Sequence, residues 1–223
     1  MKKISPTNNF TYLTLALLAF LLAAGAVQSL PAGYSRYTLD AFIVVIFLVA
    51  VKSLNLGAFW SHFAWSVTLV LLVAIFLHAV FRWKETDYIE LALMLVLFVA
   101  ITMRALRQVL LEGHIDRNKI MGSVALYILI GLTWAVLYLL MIEINPNALN
   151  GMDGLPWDQN FSQAAYFSFV TLTTLGYGDI SPAHRFVEVL VYIEAIVGAF
   201  YMAVFVAGLI SAAKPRSLRN SGQ

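Results

Sequence analysis

The chain has 223 residues, of which 61% are hydrophobic and only 12% are charged, and it contains no cysteine. Soluble domains are typically about 45–50% apolar and about 25% charged, so this composition excludes an ordinary soluble domain and a disordered chain. The lack of cysteine excludes disulfides, zinc–thiolate sites, iron–sulfur clusters and a cysteine nucleophile. The net charge of +2 is uninformative until the charges are placed along the chain.

Six apolar blocks along the chain have the length of membrane helices. A helix needs about 20 mostly apolar residues to cross the hydrocarbon core of a bilayer. The blocks cover approximately residues 10–28, 37–54, 56–83, 89–111, 120–144 and 186–213. They predict an all-α membrane protein with six transmembrane helices.

The first apolar block permits two interpretations. Lys2 and Lys3 precede it, and Ala24-Gly25-Ala26 resembles the small-residue cleavage site of a secretory signal peptide. The polar stretch before the block and the length of the apolar run instead favour a retained helix. The arrangement of the later helices is the same in both cases.

The distribution of Lys and Arg predicts the orientation, because the cytoplasmic loops of membrane proteins are enriched in these residues. With six spans and the N-terminus inside, the acidic residues fall mostly outside, among them Asp40, Asp158 and Asp179. We therefore expect a multi-pass protein of the cell membrane, with both termini cytoplasmic and membrane lipid as a partner. Four basic residues then lie outside (Arg36, Arg82, Lys84 and Arg185) and ten inside: Lys2, Lys3, Lys52, Arg104, Arg107, Arg117, Lys119, Lys214, Arg216 and Arg219.

The segment between the fifth and sixth blocks differs from the rest of the chain. It begins as a polar loop, becomes apolar from Phe161 to Leu175, and continues as Gly176-Tyr177-Gly178. The apolar run is too short to span a membrane and indicates a re-entrant segment. Non-helical backbone at membrane depth is tolerated only where it lines a water-filled path or is buried in protein. The segment therefore predicts a pore.

The end of this segment carries a resemblance to a known family. Residues 171–179 read Thr-Leu-Thr-Thr-Leu-Gly-Tyr-Gly-Asp, and they resemble the selectivity-filter sequence T-x-x-T-x-G-Y-G-D of tetrameric potassium channels at every fixed position. The resemblance implies a pore helix, about Phe161 to Thr173, and a selectivity filter between the fifth and sixth helices. It also implies a closed homotetramer, with K⁺ as the permeant ion, no other cofactor and no nucleic-acid partner.

The resemblance also implies roles for single residues. Backbone carbonyls and the Thr174 hydroxyl would form the K⁺ sites, and glycines permit the unusual φ values that such a backbone needs. In this family the filter tyrosine, here Tyr177, points away from the ions and is braced by aromatic side chains of the pore helix. The implied ion-binding residues are Thr174, Leu175, Gly176, Tyr177 and Gly178, and the implied supporting residues are Thr173, Asp179, Tyr166 and Phe167.

One position departs from some members of the family. Certain bacterial potassium channels carry Glu where this chain has Val170, and that Glu pairs with the acid after the filter. Val170 removes the carboxyl pair, as in voltage-gated relatives. Inactivation at the filter is therefore an open question for this chain.

The last helix contains two candidate gating residues. Gly198 lies about twenty residues after the filter, where the family has a hinge glycine, but a glycine also allows close packing of membrane helices. Glu194 lies in the middle of the helix, and an intramembrane carboxylate indicates a functional site. It either faces the cavity, where it would concentrate cations, or packs behind the filter, protonated and hydrogen-bonded to Tyr or Thr.

A stripe of small residues follows the same helix at intervals of four. Such a stripe lets a second helix approach closely. It predicts either the line along which four inner helices meet or the seam with the fifth helix. The stripe comprises Ala195, Ala199, Ala203, Ala207 and Ser211.

The first four helices, residues 1–111, resemble a voltage sensor only in number. Each charge that crosses the membrane field contributes about 2.3 kcal/mol per 100 mV, yet the fourth helix has only Arg104 and Arg107, both near its cytoplasmic end. We therefore expect a scaffold with weak or absent voltage sensing, and whether Arg104 and Arg107 sense voltage stays open. The aromatic residues expected as interface anchors are Trp60, Trp83, Tyr88 and Trp157.

Taken together, these patterns predict a passive, potassium-selective homotetrameric channel and not an enzyme. The pore domain is expected at 119–213 and a short cytoplasmic tail at 214–223. A silent or modulatory subunit that needs another chain is an open alternative. A secondary transporter is less favoured, because transporters usually show internal repeats with broken helices in both halves, and this chain has one re-entrant segment.

Overall fold

A computed structural model describes residues 9–27, 34–54, 58–81, 85–111, 117–152 and 154–213. Over these residues the fold is all-α, apart from one pair of two-residue strands. The predictions made for Lys2, Lys3, Arg82, Trp83, Lys84 and residues 214–223 lie outside the described residues. The elements are α1 (Asn9–Val27), α2 (Tyr34–Ser53), α3 (Ala58–Phe81), α4 (Glu85–Leu106), a π-helical turn (Arg107–Leu111), α5 (Arg117–Ile144), β1 (Leu149–Asn150), α6 (Trp157–Leu172), β2 (Ser181–Pro182) and α7 (Arg185–Ala213).

Six of the helices are long and apolar enough to cross a membrane by length and composition. They are α1 to α5 and α7, and each corresponds to one of the six predicted blocks. The chain is therefore a multi-pass membrane protein. The seventh helix, α6, is the short one that lies between α5 and α7.

Two helices begin about four residues before their predicted positions. The first turn of α4 carries Glu85 and Asp87, and that of α6 carries Asp158. Acidic side chains interact favourably with the partial positive charge at a helix N-terminus. Pro156 immediately precedes α6, where its missing N–H costs no helical hydrogen bond. The apolar runs used to predict these helices did not include their polar first turns.

The central helix of the fold is α5, which packs against α1, α4 and α6. The Thr14 hydroxyl of α1 donates to the Met121 carbonyl of α5 at 2.9 Å, and the rings of Phe20 and Phe161 join α1 to α6 with centroids 5.2 Å apart. The core residues of α1, α2, α4, α5 and α6 form one continuous cluster. Three of the first four helices, α1, α2 and α4, are therefore packed directly on α5 or α6, whereas α3 packs on α2 and α4.

Two helices stay largely uncovered in the single chain. Only 17% of the membrane-spanning part of α3 and of α7 is buried, compared with 61% of that of α5. The exposed side chains of both helices are mainly large and apolar. In a membrane, such faces are covered either by lipid or by another protein chain.

The two short strands pair the segment before α6 with the segment after residues 171–179. They are antiparallel, with Leu149 opposite Pro182 and Asn150 opposite Ser181. Gly151 follows β1 with a φ of +80°, and a Cβ at this position would lie 2.1 Å from the Asp179 carbonyl oxygen. Glycine is therefore required where the two loops meet.

Candidate functional site

The N-terminal end of α6 is held by two neighbouring side chains of α2. The Ser35 hydroxyl donates to the carboxylate of Asp158 at 2.5 Å. The guanidinium of Arg36 lies 5.2 Å from the centroid of the Trp157 ring, a cation–π contact. Trp157 is only 1% exposed, so the prediction that it is an interface anchor is wrong. Its indole is covered by α2 instead of facing the lipid headgroups.

Arg36 also belongs to a group of polar side chains that we call the outer polar cluster, because Arg36 and Asp40 are expected on the outer side: Arg36, Asp40, His78, Asp87 and Glu90. The Arg36 guanidinium pairs with Asp87 at 2.7 Å and with Glu90. His78 lies 3.2 Å from Asp87. Asp40 lies inside α2, is 4% exposed and neighbours the Glu90 carboxyl. Asp40, expected among the acidic residues outside, therefore lies within the first two turns of α2, and its carboxyl is buried instead of facing an aqueous loop.

The backbone after α6 has an unusual conformation. Thr174, Gly176 and Gly178 have φ values of +59°, +57° and +81°, whereas the residues between them have negative φ. The N–H groups of Leu175 and Gly176 both donate to the Val170 carbonyl, at 2.9 and 3.3 Å. The chain therefore folds back on the last turn of α6 and then continues with φ alternating in sign.

All residues from 173 to 179 are exposed in the single chain. They include two large side chains, since Leu175 is 55% exposed and Tyr177 is 67% exposed. The hydroxyl of Thr173 turns back to α6 and donates to the Phe169 carbonyl at 2.6 Å. Among the described parts of the chain, residues 174–178 therefore remain largely exposed, apart from their contacts with Val170 and Tyr166 of α6.

One of the two predicted bracing aromatics contacts the motif. The rings of Tyr166 and Tyr177 are stacked, with centroids 6.4 Å apart and planes at 9°. The Tyr166 hydroxyl also donates to Asp179 at 2.7 Å. Phe167 faces α5 instead, where its ring meets Tyr138 edge-on at 4.9 Å. Adjacent helical residues point about 100° apart, so the two aromatics cannot share one target within a chain.

The contact between Tyr166 and Asp179 shifts the acidity of both groups. The hydrogen bond with Asp179 raises the pKa of Tyr166 to about 12, mainly because the phenol proton is shared with a carboxylate. The same bond, which stabilises the ionised form, lowers the pKa of Asp179 below its usual value. Asp179 is therefore ionised at neutral pH, at the end of the motif.

Glu194 lies in the packed position and not in an open cavity. Its side chain is 0% exposed. Tyr138 of α5 donates to one carboxyl oxygen at 2.5 Å, and Ser168 of α6 lies 2.5 Å from the other. The Ser168 oxygen is also 2.7 Å from the Gly131 carbonyl oxygen. The cavity-facing interpretation of Glu194 is therefore wrong, because α5 and α6 of the same chain enclose the carboxyl.

Gly198 is a point of close contact between α7 and α6. A Cβ at this position would lie 1.9 Å from the Leu172 carbonyl oxygen. The residue therefore packs against the last turn of α6, which agrees with the packing interpretation. The small-residue stripe lies elsewhere, since Ala199, Ala203 and Ala207 are exposed in the single chain.

Sequence reasoning missed several residues of this site. Ser35 and Arg36, which hold the start of α6, lie just before the predicted second block and carry no motif. Ser168 and Tyr138 are single polar residues in apolar helices, and only the three-dimensional arrangement shows that they meet Glu194. The i, i+3 spacing of Asp87 and Glu90 on α4 was the available signal for the outer polar cluster.

Comparison with known proteins assigns part of the chain to a functional class. Residues 124–214 match the family described as ion channel. The match runs from α5 through α6 and the 171–179 motif to the end of α7, and it covers less than half of the chain. No curated protein and no solved structure matches the chain. The family match supports an ion channel.

Proposed function

We propose that the chain is the subunit of a potassium-selective channel that conducts K⁺ passively as a homotetramer, with residues 174–178 as its filter. The observation that carries this proposal is the backbone of these residues. Three positive φ values, at Thr174, Gly176 and Gly178, alternate with the negative values of the two residues between them. Such alternation turns successive carbonyl groups toward one side of the chain, which is the arrangement needed to replace the water around an ion.

The strain at Thr174 supports the same proposal. A β-branched residue with a φ of +59° is unusual. A left-handed conformation at a residue other than glycine costs about 1–3 kcal/mol, and such strain is typically found where function needs the geometry. The hydroxyl of Thr174 then lies next to the carbonyls that would bind the ion, as the resemblance to potassium channels implies.

The charges around the motif favour a cation. The C-terminal end of α6, at Leu172, lies just before residues 174–178, and the partial negative charge at that end attracts a cation. Asp179 supplies a carboxylate at the other end. The resemblance at every fixed position of T-x-x-T-x-G-Y-G-D is the reason for proposing K⁺ as that cation.

The tetramer is proposed because one chain leaves its own motif uncovered. Backbone carbonyls of one chain line one side of a path, so a closed ring of ion ligands needs several copies around an axis. The exposed apolar face of α7 and the exposed alanines at 199, 203 and 207 supply the surfaces for contact between copies. We propose that these alanines lie where inner helices of different subunits meet.

The proposal is tested by measuring the reversal potential of the purified protein in liposomes or planar bilayers. With unequal K⁺ and Na⁺ on the two sides, the current should reverse near the K⁺ equilibrium potential. A reversal near the Na⁺ equilibrium potential would overturn the potassium selectivity. Gly178→Ala is the matched variant, because an L side chain is disfavoured at a φ of +81°, and it should abolish the selectivity.

A second measurement separates an active channel from a silent subunit. Expression of the chain alone in a bacterial strain that lacks potassium uptake should restore growth at low external K⁺. Normal membrane levels of the protein without restored growth would instead favour a subunit that needs a different chain.

A further inference from the structure

We propose that Glu194 is a neutral carboxylic acid and the positioning residue that fixes the proposed filter helix, α6, between α5 and α7. The effect on ion selectivity rests on the proposed function. The assignment of the proton does not, because it follows from the contacts of the carboxyl alone.

The assignment comes from counting protons across three pairs of oxygen atoms. Tyr138 and Glu194 are 2.5 Å apart, Ser168 and Glu194 are 2.5 Å apart, and Ser168 is 2.7 Å from the Gly131 carbonyl oxygen. Each pair is within the range of an O–H···O hydrogen bond and needs one proton. The two hydroxyl groups supply one proton each, and the carbonyl supplies none.

The third proton must therefore be on Glu194. In the arrangement that satisfies all three pairs, Tyr138 donates to one oxygen of the carboxyl group. The other carboxyl oxygen carries the proton and donates to the Ser168 hydroxyl, and Ser168 donates to the Gly131 carbonyl. An ionised Glu194 would leave one pair of oxygen lone pairs facing each other without a proton.

The surroundings of the carboxyl agree with a neutral group. Glu194, Tyr138 and Ser168 are all 0% exposed. Among the described residues, no Lys, Arg or His pairs with Glu194, and the ionisable groups that face it are the phenols of Tyr138 and Tyr127. A buried carboxylate without a cation is strongly unfavourable, whereas a hydrogen-bonded carboxylic acid is not.

The position of this chain of hydrogen bonds explains why it would affect the filter. Ser168 and Leu172 are one helical turn apart on α6, and their partners Glu194 and Gly198 are one turn apart on α7. The last two turns of α6 are therefore fixed to α7 by one hydrogen bond and one close contact. The proposed filter leaves α6 directly after Leu172, so a displacement of this contact displaces Thr174.

Glu194→Gln is the decisive variant, because glutamine reproduces the neutral acid. Its amide oxygen accepts from Tyr138 and its NH₂ donates to Ser168. We expect a K⁺/Na⁺ permeability ratio within about twofold of wild type for Glu194→Gln and a loss of about tenfold or more for Glu194→Ala, which leaves the buried Tyr138 hydroxyl without an acceptor and removes the link from Ser168 to α7. Glu188→Gln is the control, since Glu188 is exposed near the outer end of the same helix.

Infrared spectroscopy tests the proton directly and does not depend on a variant that folds poorly. Wild-type protein should show the carbonyl stretching band of a protonated carboxyl group, shifted by ¹³C-glutamate and absent in Glu194→Gln. A wild-type spectrum without this band would overturn the proton assignment. A Glu194→Gln variant that behaves like Glu194→Ala would also overturn it, because an ionised carboxylate accepts two hydrogen bonds and glutamine accepts one.

The proposed function, the positioning role of Glu194 and the assignment of its proton can each fail separately, and each failure gives a different experimental result. If wild-type protein passes no K⁺-selective current, the proposed function and the positioning role both fail, while the infrared band still decides the proton assignment. If wild type conducts and Glu194→Ala keeps the same permeability ratio, the positioning role alone fails.

Discussion

Among single side chains, Tyr166 makes the contact that links α6 to the outer end of the proposed filter. Its ring lies against Tyr177 and its hydroxyl donates to Asp179. The hydrogen bond keeps Asp179 ionised at lower pH than an isolated aspartate would be, since it lowers the pKa of that carboxyl. The acidity of the carboxylate at this end of the proposed filter is therefore set mainly by the Tyr166 phenol.

We predict that Tyr166→Phe makes the channel more sensitive to external acid. In wild type the bond to Asp179 is present above the lowered pKa and is lost as the pH falls through it. Without the phenol, the pKa of Asp179 returns toward its usual higher value, so the carboxylate is protonated at a higher pH. Currents recorded during a titration of the external solution should fall at higher pH in the variant.

The control for this titration is Tyr12→Phe. Tyr12 is on α1 and is 53% exposed, far along the chain from the motif. It should leave the acid titration of the current unchanged. On the alkaline side, the raised pKa of Tyr166, about 12, keeps the phenol protonated over the range in which currents are recorded. If the currents of wild type and Tyr166→Phe fall over the same acidic pH range, the result would contradict the proposed contact.

Two glycines lie at close contacts between helices. A side chain added at Gly198 would meet backbone, whereas one added at Gly131 would meet a more mobile ring. A Cβ at Gly198 would meet a backbone carbonyl at 1.9 Å, one at Gly131 would meet the Phe169 ring at 2.5 Å, and one at Gly25 has nothing within 4 Å. Because backbone yields less than a ring, we predict destabilisation by about 1–3 kcal/mol or more for Gly198→Ala and less for Gly131→Ala. Gly25→Ala should be neutral or stabilising by up to about 1 kcal/mol.

Thermal unfolding of the three detergent-solubilised variants measures this order. Gly198→Ala should have the lowest Tm and Gly25→Ala a Tm at or above that of wild type. If Gly198 were a hinge without close packing, Gly198→Ala should leave the Tm unchanged, because an added methyl group would meet no neighbour. An unchanged Tm for Gly198→Ala would therefore contradict the contact between α7 and α6.

The outer polar cluster gives α2 a second role beyond spanning the membrane. Arg36 pairs with two carboxylates of α4 and lies over Trp157 of α6. We predict that Arg36→Met lowers stability by about 3–5 kcal/mol, because the buried carboxyl of Glu90 loses the guanidinium with which it is paired. Arg107→Met, at an exposed arginine, is the matched control, and equal resistance of both variants to thermal unfolding would contradict the prediction.

The behaviour of α4 in an electric field follows from the position of its basic residues. Arg104 is in the last turn of the helix and Arg107 begins the π-helical turn after it, so both lie at one end of the span. We predict that the open probability changes little with voltage and that Arg104→Gln and Arg107→Gln do not alter its slope. Single-channel recording over a range of voltages checks this, and a shallower slope in either variant would show that the arginine moves through the field.

The pattern of apolar residues was sufficient to predict the six spanning helices, because length and hydropathy follow directly from the bilayer. The aromatic residues near the span ends were expected at the lipid interface, and this expectation failed for Trp157. It failed because Arg36 of α2, which is distant in sequence, lies over the buried Trp157 ring. Glu194 shows the same limit. The sequence alone could not distinguish a carboxyl that faces a cavity from one that is enclosed by neighbouring helices.

The proposed function requires an assembly of several chains around one pore. Residues 173–179 and one face of α7 are exposed in the single chain, so a single chain is incomplete as a pore. Coexpression of wild type with a non-conducting variant counts the chains in one channel. Gly176→Ala is the suitable variant, because Gly176 has a φ of +57° and a Cβ there meets nothing within 4 Å. Alanine strains the filter without disturbing the fold of the chain.

With equal amounts of the two chains, a homotetramer that one variant copy silences should keep about one sixteenth of the wild-type current, whereas a dimer would keep about one quarter. Copurification of tagged Gly176→Ala with untagged wild type confirms mixed assembly. Gly25→Ala in the same experiment should leave the current intact. A current that falls only to one half would mean that each chain conducts alone, and the exposed motif and the exposed face of α7 would then need another explanation.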